Sequence, residues 1–139
     1  MSANRWPALA AVGAGGAAGT LLRAGVGQIW PTTSGHLPLA TLGVNVVGAL
    51  SLGILTGVLA TAEGRLRLVR IAAGTGLMGG LTTHSTFVVE TYSLMDGGRP
   101  GLGAAYLLGS LAAGVLAAAA GLAVGTALSA RMTGGGQEQ

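Results

Sequence analysis

Five consecutive polar side chains, Thr82, Thr83, His84, Ser85 and Thr86, follow Gly79, Gly80 and Leu81 in a stretch, residues 71 to 89, without a charged residue. Hydroxyls and an imidazole supply small hydrogen-bond donors, and backbone released from helical bonding supplies carbonyl acceptors. That set suits the desolvation of a small ion better than the making of bonds. Thr41 and Asn45 lie four positions apart and so share a helix face. The Asn45 amide either bridges helices or offers two N–H donors to a dehydrated anion. Arg23 puts a guanidinium inside an apolar stretch, either snorkelling to the interface or standing as a fixed positive charge at the mouth of an anion pathway. Tyr106 and Ser110 also share a face, with Gly114 next in line, and Glu90 reads as a rim carboxylate hydrogen-bonded to hydroxyls.

The elements that position these groups follow from composition. The chain has 139 residues, half of them apolar, with 27 glycines and 8% charged side chains, against roughly 25% in soluble domains. So few charges cannot cover a water-soluble fold, which predicts an all-α integral membrane protein. Residues 6 to 22, 24 to 62, 71 to 89 and 100 to 130 contain no Asp, Glu, Lys or Arg. The second stretch exceeds the about 20 residues of one span and is divided by the turn-forming run from Pro31 to Pro38. Four spans result, at about 7–30, 38–60, 71–94 and 101–129, within a single domain of residues 1–132. A disordered tail is expected at 133–139. Trp6 and Trp30 bracket the first span, about 36 Å apart on a helix, as interfacial indoles would. A cleaved signal peptide fits that segment poorly, because Arg23 lies deep within it.

With four crossings, Arg5, Arg65, Arg67, Arg70 and Arg131 fall on one side and Arg99, with or without Arg23, on the other, five against one or two. The positive-inside rule then puts the termini in the cytoplasm. The arginines are too scattered for a nucleic-acid surface, and without cysteine there is no disulfide or thiolate chemistry.

The third span cannot be an unbroken helix, because five successive polar residues would point around its whole circumference into lipid. Either it breaks at mid-membrane, freeing carbonyls that can hold a cation, or it kinks and its hydroxyls bond back to carbonyls. Small-residue pairs at four-residue spacing, Gly15 with Gly19, Gly53 with Gly57, Gly76 with Gly80 and Gly121 with Gly125, predict close helix packing.

Three ordered segments resemble the fluoride channel family known as Fluc or CrcB. They are Gly15-Gly16-Ala17-Ala18-Gly19-Thr20-Leu21-Leu22-Arg23, Thr41-Leu42-Gly43-Val44-Asn45-Val46-Val47-Gly48, and Gly79-Gly80-Leu81-Thr82-Thr83-His84-Ser85-Thr86-Phe87-Val88-Val89-Glu90. The resemblance implies a fluoride-specific channel in the cell inner (plasma) membrane that lets the ion leave the cytoplasm passively. It also implies an antiparallel dimer of four-helix subunits with two pores, and a structural sodium ion held by backbone carbonyls matching Gly79 and Thr82. Asn45 matches the pore asparagine, Phe87 the second of two aromatic rings facing the ion, and Tyr106 and Ser110 a hydrogen-bonding track. Fluoride binds water tightly and needs many small donors in sequence, and Thr41, Asn45, Thr83, Ser85, Phe87, Tyr106 and Ser110 are of that kind.

Two departures shape the expectations. His84 stands where the family has phenylalanine, and it can donate a ring N–H, become cationic and trap the anion, or be idle. The arginine bias favours one orientation, so a heterodimer with an oppositely oriented homologue is expected over a homodimer. A small multidrug transporter would need a glutamate in the first span, which has none. A purely structural subunit would not explain the polar run, and no residue constellation suggests an enzyme.

Overall fold

The computed structural model describes residues 6–134; Arg5 and the end of the expected tail, 135–139, lie outside them. Six α-helices and one π-helical stretch make up the described chain: α1 (Trp6–Ile29), α2 (Leu39–Val58), α3 (Gly64–Arg70), the π-helix (Ile71–Met78), α4 (Gly79–Leu81), α5 (Ser85–Asp96) and α6 (Pro100–Gly134). The fold is all-α, and α3, the π-helix and α4 run on as one rod. Among the described residues, three helices, α1, α2 and α6, are long and apolar enough to cross a membrane. The remaining crossing is that rod, interrupted and then continued by α5.

Local chemistry explains the ends. Pro38 is buried and leads into α2, its carbonyl accepting from the Leu42 N–H at 3.0 Å. At the far end of α5, Gly98 adopts φ +78°. The Gly98 N–H reaches Met95 O at 3.3 Å and the Arg99 N–H reaches Leu94 O at 3.0 Å, a Schellman turn that only a left-handed glycine closes without strain. Pro100 then starts α6 with its φ already set for a helix. Arg65, Arg67 and Arg70 belong to the first turns of the rod rather than to a loop. Arg70 donates from Nη1 to Leu59 O at 3.0 Å and Ala60 O at 2.8 Å, tying the rod to the chain leaving α2. Helix α6 continues to Gly134.

Packing follows the small residues. Helix α2 lies along α6, and α1 lies along the π-helix and α4. A Cβ on Gly15 or Gly19 would strike the backbone at Ala72 or Leu77, and one on Gly53, Gly57, Gly121 or Gly125 would strike the facing backbone of the α2–α6 pair. Gly76 and Gly80 meet α1 in the same way. All four expected glycine pairs therefore sit at helix contacts, where close backbone approach replaces the hydrophobic drive that lipid lacks. Among the described residues, a cluster of large buried side chains forms from Phe87, Leu94 and Tyr106, where α5 meets α6. Elsewhere large apolar groups face outward, Ile29 at 87% and Leu21 at 73% exposure among them, as a surface meant for lipid or a partner subunit requires.

Candidate functional site

The rod stops at Leu81, and Thr82 is extended with ψ 152°. Residues 82 to 84 are non-helical and α5 resumes at Ser85, so the expected break is present and lies within the polar run. A helix end leaves four carbonyls without helical partners. Here the Thr82 N–H still reaches Met78 O at 3.0 Å, but the Thr83 N–H turns away to Asn45 Oδ1 at 2.8 Å. Gly79 O thereby loses the donor that an unbroken helix would supply. Gly80 O accepts from Arg23 Nε at 3.2 Å, and Thr83 O accepts from Asn45 Nδ2 at 3.0 Å.

On the other side of the break, Thr83 Oγ1 accepts from the Thr86 N–H at 3.3 Å and so satisfies one of the orphan donors at the start of α5. It also donates to Thr86 Oγ1 at 3.0 Å. Of the hydroxyls expected to bond back to a carbonyl, Thr82 does so, to Met78 O at 2.9 Å. Break and back-bonding thus coexist rather than exclude one another. Gly48 makes room for the Thr82 methyl, since a Cβ on Gly48 would collide with it.

Two cavities meet at Thr83. The first, about 280 Å³, is walled by Arg23, Trp30, Thr32, Thr41, Thr83, Thr86 and Glu90, with apolar contributions from α1 and α2. The second, about 320 Å³, is walled by Asn45, Thr82, Thr83, His84, Phe87, Ser110, Leu111, Gly114 and Val115. The sequence-selected residues thus converge from all four crossings, although Thr41 and Asn45 of one helix face open into different cavities. Gly79 lines a third groove, of about 440 Å³, together with Gly48, Thr75 and Thr82. Ser85 is exposed beside the break, with its Oγ 3.4 Å from Thr83 Oγ1.

The hydrogen bonds separate committed donors from free ones. Thr41 Oγ1 donates to Glu90 Oε1 at 2.8 Å, and Tyr106 Oη donates to Glu90 Oε2 at 2.9 Å. Both protons, expected to face a passing anion, are held by a carboxylate that accepts only. Ser110 Oγ, by contrast, is buried without a partner, a state that a donor tolerates only where a ligand or water completes it. One N–H of Asn45 remains after the bond to Thr83, as do the Thr86 hydroxyl proton and the terminal nitrogens of Arg23. Phe87 is 4% exposed and stands between His84, at a centroid distance of 5.9 Å, and Tyr106, at 5.4 Å, both tilted. His84 itself is exposed. Arg23 does not snorkel free: its Nε is held by a neutral carbonyl, and its guanidinium shares the wall of the first cavity with the Glu90 carboxylate.

Sequence reasoning overlooked two participants, Gly80, whose carbonyl seats Arg23, and Thr86, whose position in the polar run was the only signal it carried.

Comparison with known proteins places these features in context. The family model described as CrcB-like protein, Camphor Resistance (CrcB), matches residues 10–122, which include every residue of both cavities. The chain is 42% identical over 126 residues to Fluoride-specific ion channel FluC 2 of Nocardia farcinica, covering 91% of this chain and 87% of that one. It is 42% identical over 113 residues to Fluoride-specific ion channel FluC of Methylobacterium nodulans, covering 81% and 90%. With Fluoride-specific ion channel FluC of Pseudomonas fluorescens it shares 40% identity over 122 residues, covering 85% and 96%.

Proposed function

The chain belongs to the CrcB-like family, and from that premise we propose that it is a subunit of a fluoride-selective channel, a multi-pass membrane protein that lets fluoride leave the cytoplasm down its gradient and is not an enzyme. The observation that carries this reading is the junction of two donor-lined cavities at Thr83, one walled by the Arg23 guanidinium and the other holding an unpartnered hydroxyl. Arg23 raises the local concentration of anions, because a cleft with low-dielectric walls focuses the field of its charge. Asn45, Ser110, Thr86 and His84 then replace hydration water one donor at a time, and the electropositive edge of Phe87 covers the apolar gap between them. Glu90, by holding the Thr41 and Tyr106 protons, keeps those hydroxyls oriented along the path.

The family resemblance implies a structural sodium ion. Carbonyls released at the break, on Gly79 and Thr82, are the hard oxygen donors that such a cation takes, so the residues present fit it. Bound there, sodium would contribute a fixed positive charge next to the break. The exposed groove at Gly79 and Thr82 suits a contact shared with a second subunit. The arginine bias favours an oppositely oriented homologue as that subunit, within a dimer in which one four-helix unit alone is too thin to enclose a pore.

Efflux of fluoride and of chloride from liposomes carrying this chain, alone and with an oppositely oriented homologue, tests the reading. Fluoride flux without chloride flux supports it, and robust flux from the chain alone would remove the need for the homologue. Absence of fluoride flux in both preparations would overturn it.

A further inference from the structure

One end of the molecule carries Arg65, Arg67 and Arg70 at the start of the rod and Arg131 in the last turn of α6, against one carboxylate among the described residues, Glu63. Parallel helix pairs bring these groups to one level. Gly76 meets Val12 and Gly80 meets Gly16 where α1 lies along the rod, while Gly53 meets Ala118 and Gly57 meets Gly125 where α2 lies along α6. Counting back six residues from both Val12 and Gly76 sets Trp6 level with Arg70, and α1 touches α3 there. Arg70 is turned inward, onto Leu59 O and Ala60 O. Arg65 and Arg67 are exposed, and among the described residues neither guanidinium makes a hydrogen bond or an ion pair, with Glu63 or any other group. Beside them Leu66 and Val69, three apart and so on one face of α3, are 56% and 51% exposed, and the Trp6 indole is 78% exposed.

We infer that this end is a docking surface for anionic phospholipid, with Arg65 and Arg67 on the headgroup phosphates and Leu66, Val69 and Trp6 against the upper acyl chains. Guanidinium groups match phosphate oxygens in a fork, indoles settle at headgroup level, and exposed Leu and Val at that depth need hydrocarbon. A phospholipid layer offers all three at once, whereas a dissolved anion or a nucleic acid offers only the first. Glu63 cancels at most one of the four positive charges, so the surface keeps a positive excess. A zwitterionic headgroup brings its own cation into that excess and an anionic one does not, which selects the anionic lipid. The inference needs the chain to cross a membrane and is independent of what the chain conducts.

The test uses the full chain carrying Trp30→Phe, which leaves Trp6 as its one indole, reconstituted in vesicles that contain either brominated phosphatidylglycerol or brominated phosphatidylcholine at the same mole fraction. Quenching of Trp6 fluorescence reads which lipid sits beside it. Near 0.1 M salt the relative association constant is expected to favour phosphatidylglycerol at least about threefold. The preference should fall toward one near 1 M salt, where the Debye length is about 3 Å. The pair Arg65→Gln and Arg67→Gln should abolish it, and the pair Arg65→Lys and Arg67→Lys should keep a reduced preference. Equal quenching by the two lipids with both arginines in place, or a preference that survives the glutamine pair, would overturn the proposal, and the salt series on the arginine-bearing chain decides it even if the glutamine pair fails to fold. Loss of the preference on adding inorganic phosphate at unchanged ionic strength would also overturn it, by assigning the two arginines to a dissolved anion. Fluoride flux is not read in this test, so its outcome and that of the channel reading stay separate.

Discussion

Asn45 and Thr83 exchange two hydrogen bonds, the amide oxygen accepting from the Thr83 N–H at 2.8 Å and the amide nitrogen donating to the Thr83 carbonyl at 3.0 Å. A side chain of α2 thereby does for the broken segment what a neighbouring turn of helix does for an intact one. Backbone left bare at this depth would have no water to fall back on.

Replacing Asn45 by alanine is expected to abolish fluoride flux while the protein still assembles, with a stability loss of about 1–3 kcal/mol for the two orphaned backbone groups. Flux assays beside thermal unfolding in detergent check both halves. Unchanged flux would remove Asn45 from the conducting path.

Glu90 accepts from two elements at once, Thr41 of α2 and Tyr106 of α6. In Glu90→Ala both hydroxyls lose their acceptor, which costs about 1–3 kcal/mol for each buried donor left unpaired. Flux should fall as the Phe87–Tyr106 contact loosens, whereas Glu90→Gln, which keeps one acceptor, should lie between alanine and the unaltered chain. Equal unfolding temperatures for all three would show that the carboxylate supports nothing.

His84 presents a ring beside Phe87 that can also donate. If donation matters, His84→Gln should retain flux and His84→Ala should lower it about tenfold, equivalent to ~1.4 kcal/mol of barrier. Matching rates for glutamine and alanine would make the position idle.

Thr82→Ser keeps the hydroxyl that reaches Met78 O and leaves the backbone untouched. Flux should stay within about twofold, a change of under ~0.5 kcal/mol in the barrier. A severe loss would mean that the threonine methyl, lodged against Gly48, carries a role that the carbonyl reading does not assign.

Gly19→Val should prevent folding, because its Cβ would meet Leu77 and Leu81 backbone, while Gly25→Ala has open space and should be silent. Expression and size-exclusion profiles of the two variants decide this.

Much of this architecture was legible because charges are rare. Long silent stretches mark the crossings, and a polar run that no lipid-facing rod can hide marks the break. The partners of the break were harder to read. Arg23 finds Gly80, 57 positions away, only because α1 packs tightly on the rod, a consequence of glycine spacing that names an interface without naming its register. The commitment of Thr41 and Tyr106 to Glu90 was readable in kind, as hydroxyls around a carboxylate, but not in its effect on which protons remain free. The π-helix left no trace in composition, because its wider bonding uses the same apolar and small residues as an α-helix.

That wide coil from Ile71 to Met78 serves as a length standard. Each of its turns takes up more chain than an α-turn does, so Thr82, Thr83 and His84 reach their azimuth by a residue count rather than by side-chain chemistry. Removing or adding a residue there changes where Thr82, Thr83 and His84 stand around the rod, since each α-helical residue turns about 100°. Apart from Gly76, which meets α1, the letters in this stretch matter less than their number.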